Sequence, residues 1–300
     1  MRLGLSQCSA TSHRVRRAFS LMEVLVVIAI IAVLIAVLIP GLSRCKFLSR
    51  QARELSTARQ LMLAVALYAD DSKGAILPGY APISWVNGQM VVRDEEGNRL
   101  MGDVAQRYPW RLAPYLNYEF RGLYENSRVL EDIRARRDEY APLGVDERYV
   151  MSLFPSLGMN TTFVGGTDRL NQFSSSWVSA FGDVVVDRMD EATRPTQVMA
   201  FTSARVEQQP LLPALGRVDG FFRVEPPYLG PDARPRWEAA YDPQAPTTNA
   251  NSGNVALRGN ESAVASMLDG HAATLKWDEL RDMRRWADAA TRADWLLTRR

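Results

Sequence analysis

From Val24 to Ile39 the chain runs sixteen residues without a polar side chain. As a helix that run is about 24 Å long. The wider stretch Phe19 to Ser43 holds one charge, Glu23, and reaches about 36 Å, enough for a hydrocarbon layer of about 30 Å. Arg14, Arg16 and Arg17 stand just before it. Positive charge keeps that end in the cytoplasm, so the carboxyl-terminal bulk is expected on the far side of the membrane. Beyond Pro40-Gly41, which is expected to kink the helix, polar and apolar residues alternate with a helical period over 49–70. Leu48, Ala52, Leu55, Met62 and Val65 share one face, and Leu61 to Tyr68 is apolar nearly all round, as for a helix packed under a sheet. A single helix from Phe19 to about Ala69 follows, about 75 Å long, ended by Lys73-Gly74 and a Pro78-Gly79 loop.

The pattern then becomes shorter. Trp85 to Arg93 and Asn98 to Met101 read as short strands. Tyr108 to Leu116 reads as an aromatic turn and short helix, and Val129 to Tyr140 as a charged surface helix. Asp183 to Val186 and Gln197 to Thr202 read as strands. Arg223 to Asn251, rich in Pro and Asn, reads as a long ordered loop. Ser262 to Met267 and Ala272 to Trp277 flank Asp269-Gly270, a hairpin turn signal. Asp278 to Leu297 reads as an amphipathic helix with Leu280, Met283, Ala287 and Ala290 on one face. The fold class expected is α+β, a long amino-terminal transmembrane and spine helix with an antiparallel-sheet head. The divisions are a leader at 1–18, a membrane or filament-core helix at 19–43, a spine at 44–72 and a soluble head at 73–300.

An ordinary secretory signal peptide is the rival for the amino-terminal run. Its apolar core would be only about 7–15 residues, and Pro40 to Cys45 makes a poor cleavage site. A carboxylate inside the run also demands a reason, because a charge at membrane depth costs about 2.5 kcal/mol or more without a partner. The segment Arg17-Ala18-Phe19-Ser20-Leu21-Met22-Glu23-Val24-Leu25 resembles the cleavage and methylation signal of type IV prepilins and type II secretion pseudopilins. The resemblance implies a pilin-like fold and a cut by a prepilin peptidase between Ala18 and Phe19. It also implies methylation of the Phe19 amine, a carboxylate at Glu23 for subunit assembly, and a helix-kinking proline at Pro40. Ala18 stands where that family usually has Gly. The family's role for Glu23 is pairing with the freed amine of Phe19 on a neighbouring subunit, which offsets the cost of burial and sets the register between subunits. On the residues alone, Glu23 reads equally as a carboxylate facing headgroups, and Phe19 as an interfacial aromatic anchor.

Met267 to Trp277, with Asp269-Gly270-His271 at its centre, resembles a carboxyl-terminal hairpin of a large-headed prepilin-like family. Gly158-Met159-Asn160 and Pro195 to Phe201 echo that family's middle. One version of the family has a His ten residues before the hairpin's Asp, where this chain has Gly259.

Composition changes the picture in one respect. The formal charge is +2, but Arg2, Arg14, Arg16 and Arg17 all precede Phe19 and no acid does; the remainder holds 32 basic against 34 acidic residues, a net −2. Basicity therefore belongs to the leader, and no nucleic-acid partner is expected. At 47% hydrophobic and 23% charged, the rest can build a folded core. Cys8 lies in the leader with no apolar segment before it for lipidation, so Cys45 alone remains and no internal disulfide forms. His13 also lies in the leader, leaving His271 for chemistry. Asp269 and His271 form an acid–His pair that reads either as a metal or catalytic site or, preferred here, as turn chemistry. Asp183, Asp187 and Asp190 hint at calcium but lack a dedicated loop's spacing. The seven tryptophans read as core, or as an exposed platform for a polymer. With no catalytic motif, the expectation is a structural subunit, not an enzyme, with no cofactor and no metal. Its expected partners are the prepilin peptidase, other pilin-like subunits and the membrane. The alternative is a single-pass, membrane-anchored binding or hydrolytic protein.

Overall fold

The structure is a computed structural model that describes residues 21–119, 121–124, 129–209, 212, 215–229, 236–258 and 261–300. It divides into two compact units, Met1–Ser49 and Arg50–Arg300.

Helix α1 spans Leu21–Asp71. In the first unit all of its side chains from Leu21 to Ala36 are exposed, and Glu23 is the one polar residue among them. The helix is continuous through Pro40, whose side chain lies outside the described residues. Among the described residues no helix is long and apolar enough to cross a membrane. The apolar run with every side chain described, 21–36, reaches about 24 Å against the roughly 30 Å of a hydrocarbon layer. Of the crossing expected over 19–43, residues 19 and 20 lie outside the described residues, as do the side chains of 37, 38 and 40–43.

In the second unit α1 buries Glu54, Thr57, Ala58, Leu61, Met62, Ala64, Val65 and Ala69. Of the face expected from the pattern, Met62 and Val65 are buried, Leu55 is half-buried, and Leu48 and Ala52 are exposed; Leu63 and Leu67 point to solvent. Alanines at 58, 64 and 69 admit close packing, and they outweigh the larger but scattered leucines. The helix stops where expected. Lys73 and Gly74 take positive φ of 57° and 89°, and the Gly74 N–H returns to the Ala69 carbonyl at 2.7 Å.

Among the described residues seven strands follow: β1 (Val92–Arg93), β2 (Arg99–Leu100), β3 (Leu157–Asn160), β4 (Met199–Ser203), β5 (Arg223–Val224), β6 (Ser262–Met267) and β7 (Ala272–Lys276). The first two form a small ribbon, and the others a sheet in the order β5-β3-β4-β6-β7. This sheet is mixed, not antiparallel as expected. The neighbouring pairs β3–β4, β4–β6 and β6–β7 are antiparallel, but β5 runs parallel to β3, with Met159 opposite Arg223. β3, β4 and β6 are buried along their whole length, so both faces of the sheet centre are covered. Gly158 lets β5 approach closely, since a Cβ there would lie 2.9 Å from the Phe221 carbonyl oxygen. Buried Asn160 donates from Nδ2 to the carbonyls of Met199 (3.0 Å) and Trp286 (2.8 Å), tying β4 to the carboxyl-terminal segment. The predicted hairpin is present. β6 and β7 pair from Ser262 opposite Lys276 to Ser266 opposite Ala272, and Gly270 turns at φ +90°.

Short helices fill the rest: α2 (Ile83–Asn87), α3 (Gly102–Gln106), α4 (Tyr108–Leu112), α5 (Val129–Ala135), α6 (Arg137–Tyr140), α7 (Glu147–Leu153), α8 (Ser175–Phe181), α9 (Thr248–Ser252) and α10 (Trp277–Leu280). Trp85 to Asn87, expected as strand, is helical because Pro82 presets the turn (φ −56°) and Val86 is wholly buried. The helix expected over 129–140 breaks at Arg136 (φ −116°, ψ 29°). The strand expected at 183–186 is a single bridge between Val164 and Val186. The carboxyl-terminal helix is also replaced, by α10 and a short 3-10 turn. Its expected face is nonetheless buried: Leu280, Met283, Ala287 and Ala290 all lie inside. Asp282 accepts the Arg284 N–H (2.9 Å), and the Met283 N–H bonds the distant Ala293 carbonyl (2.9 Å), so side-chain and long-range partners displace the helical ladder.

Gly165 offers a test of this packing. Its φ is +69°, and a Cβ would sit 2.1 Å from the Leu77 carbonyl oxygen. Gly165→Ala is expected to destabilise the second unit by about 2–3 kcal/mol, read as a lower urea midpoint with an unchanged slope.

Candidate functional site

The amino-terminal part of α1 is a site by virtue of its surface. A helix apolar all round ordinarily lies in a protein core or a bilayer. Here Leu21 is 84% and Leu34 57% exposed, with Val24, Leu25, Ile28, Ile31 and Ile35 alongside. Each such side chain gains about 1.5–3 kcal/mol on leaving water, so the sleeve as a whole is strongly driven to be covered. Glu23 interrupts it two residues into the described helix and is exposed. Ala18 and Phe19 lie outside the described residues.

A family profile described as the prokaryotic N-terminal methylation motif matches residues 13–39. This is the prepilin-type signal. It covers the three arginines, Ala18, Phe19, Glu23 and the apolar sleeve, and it marks the chain as a precursor of the type IV pilin or pseudopilin kind. Neither a curated protein nor a solved structure matches the chain. The prepilin-type signal thus carries the comparison, and what lies beyond residue 39 is read from its own geometry.

In the second unit the hairpin pair is together. His271 Nδ1 lies 2.6 Å from Asp269 Oδ1, and the His271 backbone N–H donates to the same oxygen at 3.1 Å. One carboxylate oxygen therefore holds both the ring and the turn, and both side chains are open to solvent. That is the arrangement of an Asx turn with its imidazole folded back. Asp183, Asp187 and Asp190 are not gathered around one point. Asp190 turns to Arg188 (3.1 Å). Loss of hydration, then the charges of Asp187 and Asp183, push Glu191 above the usual carboxylate range. Among the described residues no three metal-ligating side chains form a group. Gly259 lies outside them. Trp110, Trp237 and Trp286 are buried; Trp277 stacks on Trp237 at 5.1 Å and Trp85 packs on Phe173 at 4.9 Å.

Among the described residues Glu54, Asp94, Arg107 and Arg111 are buried charged groups that escaped the sequence reading. Arg111 is enclosed and donates to the carbonyls of Pro78 and Gln106, and burial pulls it down to about 10. Glu54, on the buried face of α1, accepts from Ser203 Oγ of β4 (2.8 Å) and from the Arg258 guanidinium. The helical spacing of Glu54 with Ala58, Leu61 and Val65 could have shown an acid on the core face. Nothing local could have named Arg258 as its partner, 204 positions on.

Proposed function

We propose that this protein is a structural subunit of a pilus-type filament, of a type IV pilus or a type II secretion pseudopilus. A prepilin peptidase removes residues 1–18 between Ala18 and Phe19, and the new Phe19 amine is methylated. Before assembly the chain sits in the inner membrane as a single-pass protein, with the arginine-bearing end in the cytoplasm and the head on the extracytoplasmic side. In the filament, Glu23 pairs with the Phe19 amine of a neighbouring subunit. Head-to-tail contacts between the helices then propagate the assembly, and Pro40 provides the bend or loosening by which the helix fits its neighbours. The protein works by assembling, without catalysis of its own. The exposed Asp269–His271 pair is committed to its own turn and fits this reading.

The observation that carries the proposal is the conjunction of the prepilin-type signal with a helix whose described sleeve is apolar on all sides and interrupted by Glu23 alone. Mass spectrometry of the protein recovered from cells expressing a prepilin peptidase is expected to show an amino terminus at Phe19 with one added methyl group. A chain still beginning at Met1, or one cut beyond residue 40, overturns it.

A further inference from the structure

At the β5 edge of the sheet the second unit collects arginines that filament assembly does not use. Arg223 reaches Glu225 at 3.2 Å and Arg236 reaches the other oxygen of Glu225 at 3.2 Å, so two guanidiniums share one carboxylate. Behind them Phe222 is flanked by two guanidiniums, Arg223 at 5.7 Å and Arg107 at 5.4 Å from its ring centre. The Tyr80 ring lies 5.9 Å from Phe222. Residues 167–169 are bonded onto Tyr80, whose carbonyl accepts the Asp168 N–H at 3.0 Å, and this brings exposed Arg169 to the same edge.

The charges there do not close. Asp103 is committed to Arg107 at 2.7 Å. Arg169 forms no ion pair among the described residues, even with Asp168 beside it in sequence. Arg223 Nε is enclosed and has no acceptor among the described residues. Burial pulls Arg223 down to about 10; Glu225 opposes this, and the like charges of Arg169 and Arg236 add to it. The group therefore holds more positive charge and more N–H donors than its own carboxylates take up. Guanidiniums bind oxyanions through paired, charge-assisted hydrogen bonds. Three of them offer more donors than the two oxygens of a carboxylate accept, which favours a tetrahedral anion.

We propose that the β5 edge, built from Arg169, Arg223 and Arg236, is a binding site for a phosphate- or sulfate-type oxyanion, either free or at the end of a larger molecule. The test uses the full chain in neutral detergent micelles, titrated calorimetrically at constant ionic strength with inorganic phosphate, with glucose 1-phosphate and with chloride. Saturable binding of phosphate and not chloride is expected. Equal affinity for the two phosphates points to the free ion, and tighter glucose 1-phosphate to a phosphate carried on a larger molecule. Arg169→Gln, at an exposed side chain with no ion pair to lose, is expected to weaken phosphate at least about tenfold, roughly the 1.4 kcal/mol of one such contact, with the melting temperature of the unliganded protein unchanged. Glu225→Gln removes the competing carboxylate and is expected to tighten binding. Phosphate that binds no better than chloride, Arg169→Gln that binds like the parent, or Glu225→Gln that binds more weakly each overturns the site.

Discussion

Glu23→Val is expected to leave the chain membrane-bound and processed at Phe19, and to remove it from filaments. The valine completes the apolar sleeve that Glu23 interrupts, so insertion improves: a carboxylate toward the membrane centre costs about 2.5–3.5 kcal/mol on insertion scales, and less near the end where Glu23 sits. Assembly goes the other way. In the proposed filament the carboxylate meets a neighbour's amine among apolar side chains. Removing one member of such a pair leaves the other charge buried and alone, at a cost of about 3–5 kcal/mol. That corresponds to a hundredfold or greater loss of incorporation, since about 1.4 kcal/mol is tenfold. Glu23→Asp keeps the charge on a shorter arm and is expected to fall between. The measurement is the ratio of subunit in sheared or pelleted filaments to subunit in the membrane fraction, for chains of equal expression. Parental incorporation of Glu23→Val would end the pairing role while leaving the cleavage signal untouched.

What was legible in the sequence depended on how local its cause was. The end of α1 at Lys73-Gly74, strand β4 and the β6–β7 hairpin around Asp269-Gly270 all rest on residues adjacent in sequence, and they stand as read. β5 was hidden because two residues, Arg223 and Val224, form a strand only through β3, more than sixty positions earlier. The carboxyl-terminal segment had the right apolar set and the wrong backbone: Asp282 binds a nearby N–H and Asp288 holds the N–H groups of Thr193 and Arg194. Periodicity reports which side chains go inside, and it does not see these competing bonds. The site divides in the same way. Glu23 and its apolar surroundings are one contiguous stretch and could be read directly. The Glu54–Arg258 pair and the arginines of the β5 edge are assembled from distant segments.

Arg258→Met is expected to be among the most destabilising single changes in the second unit, and acid is expected to relieve it. Glu54 is 7% exposed and Arg258 17%. Arg258 also donates to the carbonyls of Ser156 (3.1 Å) and Ala204 (3.0 Å), so the pair fastens the 50–71 part of α1 to β4. Burial pushes the Glu54 carboxyl above its usual range; Arg258 and the Ser203 hydroxyl oppose that push, and Asp219 adds to it. A folded-state pKa above the unfolded value means that the native chain binds the proton more tightly. The stability attached to Glu54 is then fullest below the unfolded value and is lost as pH rises through the folded one. Removing Arg258 takes away the largest opposing contribution and moves that window further toward neutrality. Above that raised pKa the variant buries an ionised carboxylate without its cation and within the field of Asp219, for a loss of about 3–5 kcal/mol. As pH falls through that raised pKa Glu54 takes up a proton, and much of that loss is expected to return. Glu54→Gln combined with Arg258→Met leaves no buried charge, and should retain only the cost of the two carbonyls that lose their donor, about 1–3 kcal/mol each at most. Urea titrations of parent, single and double variants at pH 5 and pH 7 separate these cases. A deficit of Arg258→Met that is the same at both pH values would mean that lost packing and lost carbonyl partners account for it, and that Glu54 never carries the charge in the variant's native state.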